Sequence, residues 1–219
     1  MVTDESLAQR VATALLDVGA VSLAPDEPFT WASGMRSPIY CDNRITLSDP
    51  AARTDIAEGF AQLVRECFPD ATAIAGTATA GIPQAALVAD RLDLPMMYVR
   101  AQPKDHGRGQ QIEGRMEEGA KVVLIEDLIS TGGSVLAAAT AVTAAGGEVL
   151  GVLAVFSYEL PAATLAFANA GIDLITLSNY PTLLSVASER GDLTQEQQEA
   201  LANWSASPQE WSDRFEAGD

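Results

Sequence analysis

Val122-Val123-Leu124-Ile125-Glu126-Asp127-Leu128-Ile129-Ser130-Thr131-Gly132-Gly133-Ser134 is the stretch whose reading decides the fold. An apolar run ends in two adjacent carboxylates, and a Ser/Thr/Gly loop then opens an Ala-rich helix. A continuous apolar run of this kind predicts a buried parallel strand, since such strands are covered on both faces. The loop offers hydroxyls and backbone N–H groups at a helix N-terminus, where unsatisfied donors and the helix dipole favour an anion. Acceptors for sugar hydroxyls thus stand beside donors for a phosphate, the combination that a phosphorylated ribose requires. Helix capping alone also places Asp or Ser between a strand and a helix. Two acids followed by Ser-Thr-Gly-Gly-Ser exceed what a cap needs.

Outward from this stretch the chain alternates. Residues 71–75, 96–99, 122–126, 148–156 and 172–177 read as strands, and helical stretches near 82–92, 133–145 and 161–170 separate most of them. Repeated βα units predict an α/β fold with a mostly parallel central sheet flanked by helices. In such sheets ligands lie at the carboxyl ends of the strands, where Glu126 and Asp127 fall. Upstream, Leu7, Val11, Ala14, Leu15 and Val18 mark one face of a helix stopped by Gly19. Phe29-Thr30-Trp31 and Pro38-Ile39-Tyr40-Cys41 flank Ser33-Gly34 as a hairpin. Asp49-Pro50 starts the next helix, with Ile56, Phe60, Leu63, Val64 and Cys67 on one face. The tail from Leu193 reads as helical, with Trp204, Trp211 and Phe215 packing on the domain.

At 219 residues the chain suits one domain with a small subdomain. No stretch approaches the ~20 apolar residues of a membrane span. The acidic start Met1-Val2-Thr3-Asp4-Glu5 is not a signal peptide, so a cytoplasmic location is expected. Cys41 and Cys67 have no metal-type spacing and read as free thiols. A formal net charge of −17 argues against nucleic acid and against anionic membrane surfaces. A phosphate-handling site must then be made locally cationic. Between Arg100 and Arg115, Arg100, Lys104, Arg108 and Arg115 stand against only Asp105 and Glu113, in a chain whose only lysines are Lys104 and Lys121.

That cationic segment lies in the one long connection, Arg100–Gly119. Connections of this length in a compact domain are functional lids or disordered stretches. It holds His106, the only histidine, between Lys104-Asp105 and Gly107-Arg108-Gly109. A lone histidine is usually a satisfied core residue, but this one has no apolar neighbours to bury it. Gly107, Gly109 and Gly114 allow the segment to close over a substrate. A second glycine loop, Gly76-Thr77-Ala78-Thr79-Ala80-Gly81-Ile82-Pro83, has the outer glycines of a P-loop with Ile82-Pro83 in place of Lys-Ser/Thr. An ATPase or kinase reading fails there, although its amides suit an anion. No GxGxxG follows a strand, and HExxH and CxxC motifs are lacking.

Together these pieces resemble a known family. Val122–Ser134 is similar to the phosphoribosyl pyrophosphate (PRPP) motif of type I phosphoribosyltransferases. Arg100–Gly109 resembles the flexible catalytic loop of the orotate phosphoribosyltransferase branch, and Phe29–Tyr40 resembles the N-terminal hairpin of one part of that branch. The resemblance implies one phosphoribosyltransferase domain over residues 1–219. Residues 1–45 would contribute an N-terminal hood and 100–119 a flexible catalytic loop. It further implies conversion of orotate and PRPP to orotidine 5'-phosphate and diphosphate in pyrimidine biosynthesis, with Mg²⁺ held mainly through the substrate rather than by protein ligands.

Carried over by motif, Glu126 and Asp127 accept hydrogen bonds from the ribose hydroxyls. Leu128, Ile129, Ser130, Thr131, Gly132, Gly133 and Ser134 wrap the 5'-phosphate, and Ser130 also contacts orotate. Arg100, Lys104 and His106 meet the diphosphate, with Lys104, His106 and Asp127 the catalytic set. The resemblance also implies a homodimer in which the 100–119 loop reaches the partner active site.

The chain departs from the pattern at named positions. Ala101 replaces a second loop lysine, and Thr79-Ala80 stands where others have Tyr-Lys. Ala32 replaces a hairpin lysine, and Tyr158 lies near an arginine that contacts orotate in some members. Lys104, Arg100 and His106 then carry more of the anion load. The nucleotide motif alone would serve a purine-type phosphoribosyltransferase, or a non-catalytic PRPP-binding regulator. The hairpin and the Arg100…His106 loop argue against the first. The lack of a basic patch and the presence of loop Lys104 and His106 argue against the second.

Overall fold

The structure is a computed structural model that describes residues 5–31, 33–102 and 111–217, with side chains as far as Asp213. In chain order it comprises α1 (Glu5–Asp17), β1 (Val21–Leu23), β2 (Phe29–Thr30), β3 (Arg36–Ser37) and β4 (Ile39–Cys41). A 3-10 turn (Asn43–Ser48) leads to α2 (Pro50–Cys67), β5 (Ala73–Thr77), α3 (Gly81–Leu92), β6 (Met96–Val99), β7 (Ile112–Glu113) and β8 (Lys121–Ile129). Then follow α4 (Gly133–Ala144), β9 (Glu148–Ser157), α5 (Pro161–Ala170), β10 (Leu174–Asn179), α6 (Tyr180–Glu189), α7 (Gln195–Ala206) and α8 (Pro208–Ala217). Among the described residues no helix is long and apolar enough to cross a membrane.

Six strands form the central sheet in the order β10-β9-β8-β5-β6-β7. All neighbours are parallel except β7, which runs antiparallel to β6 through Tyr98↔Glu113 and Val99↔Ile112. The apolar run of β8 is explained by its two buried faces. Val123 and Ile125 join Ile74, Leu153, Val155 and Leu177 in a core closed by α1, α2 and α3. Val122 and Leu124 join Ala75, Val152 and Ala154 in a second core closed by α4 and α5. Alternation of side chains along a strand assigns successive residues to the two cores. On α2, Asp49 accepts the Ala52 N–H at 2.8 Å and Pro50 opens the helix, so Ile56, Phe60, Leu63 and Val64 face inward. Cys67, expected on that face, is exposed instead, and both cysteines are free.

The N-terminal region differs from the simple hairpin expected. Phe29–Thr30 pairs with Arg36–Ser37, whereas Ile39–Cys41 turns away and pairs antiparallel with Val21–Leu23. Pro38, which has no N–H to donate, separates the two pairings. Other boundaries also move. The strand expected at 71–75 is Ala73–Thr77, that at 172–177 is Leu174–Asn179, and β8 runs past its acids to Ile129. Helix α6 was not anticipated, although Asn179 caps it by accepting the Thr182 N–H at 2.9 Å, with a proline in the first turn. Within the stretch expected as a loop, Ile112–Glu113 adds a strand to the sheet edge, and Arg100 N–H donates to the Gln111 carbonyl at 2.9 Å.

Candidate active site

The carboxyl ends of β5 and β8 open onto a cavity of about 350 Å³. Three segments line it: Glu126 through Val135, the turn Ala78–Ala80, and Cys41, Asp42 and Arg44 from the end of the N-terminal strands. The size suits a small metabolite. Glu126 is only 6% exposed. Desolvation pushes both the Glu126 and Asp127 carboxyls up, and for Glu126 the neighbouring Asp127 adds to the effect. The Asp127 N–H donates to Glu126 Oε1 at 3.0 Å, and Asn43 Nδ2 donates to the Asp127 carbonyl at 2.6 Å, tying the loop after β4 to the acid pair. Two such carboxyls favour a cation or hydroxyl donors beside them.

Arg44 is the cation that lines this cavity among the described residues. Asp42 holds it in a fork, Nε–Oδ1 at 2.6 Å and Nη2–Oδ2 at 2.8 Å, and is itself held below the usual carboxylate range by that pairing. The guanidinium also offsets part of the upward shift at Asp127.

Helix ends supply the anion side. Side chains of Asp49, Asn179 and Thr194 cap α2, α6 and α7, whereas α3 and α4, whose N-termini meet the cavity, have no side-chain cap. The first N–H groups of α4 are left for a ligand, while in α3 the Ile82 N–H donates to the Thr79 carbonyl at 3.3 Å and the Gly81 N–H stays available. Glycine is needed to bring both ends in. Gly132 has φ +81°, and a Cβ there would lie 2.7 Å from Phe167 Cε2; a Cβ on Gly81 would overlap the Ile125 carbonyl. The Ala78–Thr79 peptide between the two ends is cis.

A second cavity of about 450 Å³ adjoins the first and shares Cys41, Leu128 and Ser130 with it. Its other walls are Thr30, Trp31, Tyr40 and Tyr158. The Tyr158 ring is buried, 5.2 Å from that of Trp31, and burial pushes its hydroxyl up. One cavity is polar and anion-directed, the other aromatic, and Ser130 stands at their junction.

Every residue from Glu126 to Ser134 singled out from sequence lines the first cavity. Arg100 does not line it; its Nη1 lies 3.8 Å from Glu113 Oε1 at the root of the long connection. Lys104, His106 and Ala32 lie outside the described residues. Sequence reasoning missed Asp42, Asn43 and Arg44. Their signal was a polar Asp-Asn-Arg run directly after the alternating strand Ile39–Cys41, with no local cue that it returns to β8.

The profile of the phosphoribosyl transferase domain matches residues 46–167. An orotate phosphoribosyltransferase of Cutibacterium acnes is 61% identical over 212 residues, 97% of this chain and 98% of its own. One of Bacillus subtilis is 57% identical over 206 residues, 94% of this chain and 95% of its own. The crystal structure of orotate phosphoribosyltransferase from Aeropyrum pernix superposes with a TM-score of 0.71 at 28% identity, covering 84% of this chain and 99% of that one. The chain therefore belongs to the phosphoribosyltransferase family, among the orotate phosphoribosyltransferases.

Proposed function

We propose that this chain transfers the phosphoribosyl group of PRPP to orotate, giving orotidine 5'-phosphate and diphosphate, with Mg²⁺ and as a cytoplasmic homodimer. The observation that carries the reading is the pairing of the two cavities at Ser130. A buried acid pair and two uncapped helix N-termini fill one, and aromatic rings wall the other. In this arrangement the N-terminus of α4 and the hydroxyls of Ser130, Thr131 and Ser134 hold the 5'-phosphate. Glu126 and Asp127 accept the ribose hydroxyls. The Ala78–Ala80 turn at the N-terminus of α3 receives the diphosphate, and the flat acceptor ring lies against Trp31 and Tyr158, with Ser130 reaching it.

The reaction breaks the bond from the anomeric carbon to diphosphate oxygen and forms one to a ring nitrogen of orotate. Positive charge builds on the ribose and negative charge on the leaving group. The adjacent carboxylates favour the first, while Arg100, Lys104 and His106 of the long connection, reaching from the partner subunit, favour the second. Closure of that segment excludes water that would otherwise hydrolyse the sugar.

Glu126 and Asp127 are hard oxygen donors that would fit a Mg²⁺ ion arriving coordinated mainly by substrate oxygens, its charge favouring their ionised form against the desolvation that opposes it. The chemistry such an ion would supply is positive charge that stabilises the departing diphosphate.

The test is purified protein with PRPP, orotate and Mg²⁺, following loss of orotate absorbance. Mg²⁺-dependent consumption with stoichiometric diphosphate is expected. Turnover of adenine, guanine or xanthine with orotate untouched would instead assign a purine acceptor, and PRPP binding without turnover of any base would assign a regulator.

A further inference from the structure

Trp204 lines neither cavity, yet it stands behind the wall of one of them. Its ring is fully buried and meets Trp31 at 5.7 Å, Tyr158 at 5.6 Å and Tyr180 at 5.2 Å, all edge-on. Of the three rings that line the aromatic cavity, Trp31, Tyr40 and Tyr158, the first and last pack on each other and on Trp204. The geometry of that wall is therefore set from the rear by a side chain of α7, more than 170 residues away from Trp31 in sequence.

The same C-terminal helices grip the N-terminal strands at two further points. Ser212 Oγ, on α8, accepts the backbone N–H of Arg36 at 2.9 Å, beside the β2–β3 pair that carries Trp31 at its edge. Gln197 Nε2, on α7, donates to Asp26 Oδ2 at 2.7 Å. Helix α7 is in turn fixed to α6 by the Tyr180 hydroxyl, which donates to the Leu201 carbonyl at 2.9 Å. None of these groups reaches the polar cavity, whose lining ends at Val135.

We propose that the α7–α8 pair is a positioning element for the acceptor and that Trp204 is its key residue. By holding Trp31 and Tyr158 at fixed tilt, Trp204 sets the affinity for a flat heterocyclic acceptor and leaves the phosphoribosyl donor untouched. It is a positioning residue and not a catalytic one, because it acts through the two rings in front of it. The inference rests on the reading that the acceptor occupies the aromatic cavity. Aromatic pairs are directional, preferring tilted or edge-on contacts at centroid distances of about 4.5–7 Å, so an aliphatic replacement removes the constraint as well as the volume.

The experiment is steady-state kinetics on the full chain and its Trp204→Leu, Trp204→Phe and Ser212→Ala variants, with both substrates varied. Orotate dissociation constants are read in parallel by isothermal titration calorimetry. Trp204→Leu is expected to raise the orotate KM and dissociation constant about tenfold, leaving the PRPP KM within twofold. Trp204→Phe should recover most of the loss, and Ser212→Ala should raise the orotate KM about threefold. A Trp204→Leu protein whose two KM values rise together, or do not move, overturns the proposal. If that variant fails to fold, an unchanged orotate KM in Ser212→Ala does so. Failure of the underlying reading is distinguishable, because the unsubstituted chain would then not consume orotate at all.

Discussion

Replacing Glu126 with glutamine is expected to stabilise the free protein at neutral pH while lowering its activity. Burial, together with the neighbouring Asp127, pushes the Glu126 carboxyl from an ordinary 4.5 up to about 9. A carboxyl whose pKa is raised in the folded state binds more protons there than in the unfolded chain. Stability is then greatest below the unfolded pKa and declines as pH rises towards the folded one. At pH 7 the cost is about 1.4 kcal/mol for each unit above the unfolded value, an upper bound of ~3 kcal/mol. Because Asp127 supplies part of the Glu126 shift, roughly half of that, about 1–2 kcal/mol, is assigned to Glu126 alone.

Glutamine keeps the acceptor for the Asp127 N–H, now 3.0 Å away, and removes the ionisation. For a chain of this size the gain corresponds to roughly 2–8 °C in Tm. At pH 5 it should shrink to under ~2 °C, since little ionisation penalty is left there. Calorimetry of both proteins at pH 5 and pH 7.5, without ligands, makes the comparison. Activity should fall by about 10- to 100-fold in kcat/KM for PRPP, because glutamine cannot ionise beside the positive charge that builds on the reacting sugar. A variant no more stable than the parent at pH 7.5, or equally stabilised at both pH values, would refute the electrostatic reasoning.

Further substitutions probe the loop, the helix end and the acid pair. Lys104→Ala should lower kcat by about 10²–10³, the usual scale for one preorganised contact to developing negative charge; a loss below threefold removes Lys104 from the leaving-group role. Mixing it with an inactive Asp127→Asn protein should restore activity if the loop acts across a dimer. Gly132→Ala must place a side chain at φ +81° and 2.7 Å from Phe167, whereas Gly19→Ala at φ +71° meets nothing within 4 Å. Urea unfolding should show about 1–2 kcal/mol lost at Gly19 from backbone strain alone and a larger loss at Gly132. Arg44→Ala removes a charge that lowers the Asp127 pKa against the desolvation that raises it. The acid limb of the kcat/KM profile for PRPP should therefore move to higher pH, and an unmoved limb would detach Arg44 from the acid pair.

The lining of the polar cavity was legible because its information is local. Residues 122–134 carry a buried strand, two acids and a glycine-opened helix in one uninterrupted stretch, and each property follows from neighbours in sequence. The glycine loop at 76–83 was legible for the same reason, although β5 keeps Gly76 and Thr77 within the strand and leaves only Ala78–Ala80 as the turn. Arg100 was read as part of a cationic lid, and its ion pair with Glu113 arises only because β7 folds back on β6. The hairpin turning at Ser33–Gly34 is present, but its second arm is Arg36–Ser37 rather than Pro38–Cys41, because strands of two or three residues carry too little alternation to specify register.

By itself, then, the sequence determined a mostly parallel α/β sheet and the run of residues, Glu126 to Ser134, that lines a polar cavity at the end of β8. Apolar patterning, capping chemistry and glycine placement act over a few residues, and one chain is enough to read them. Tertiary structure decided what closes that site. It brings Asn43 to the backbone of Asp127 across 84 residues, Arg36 to Ser212 across 176, and Trp204 behind Trp31 and Tyr158. Contacts of that range depend on how the whole core packs, and no local pattern announces them.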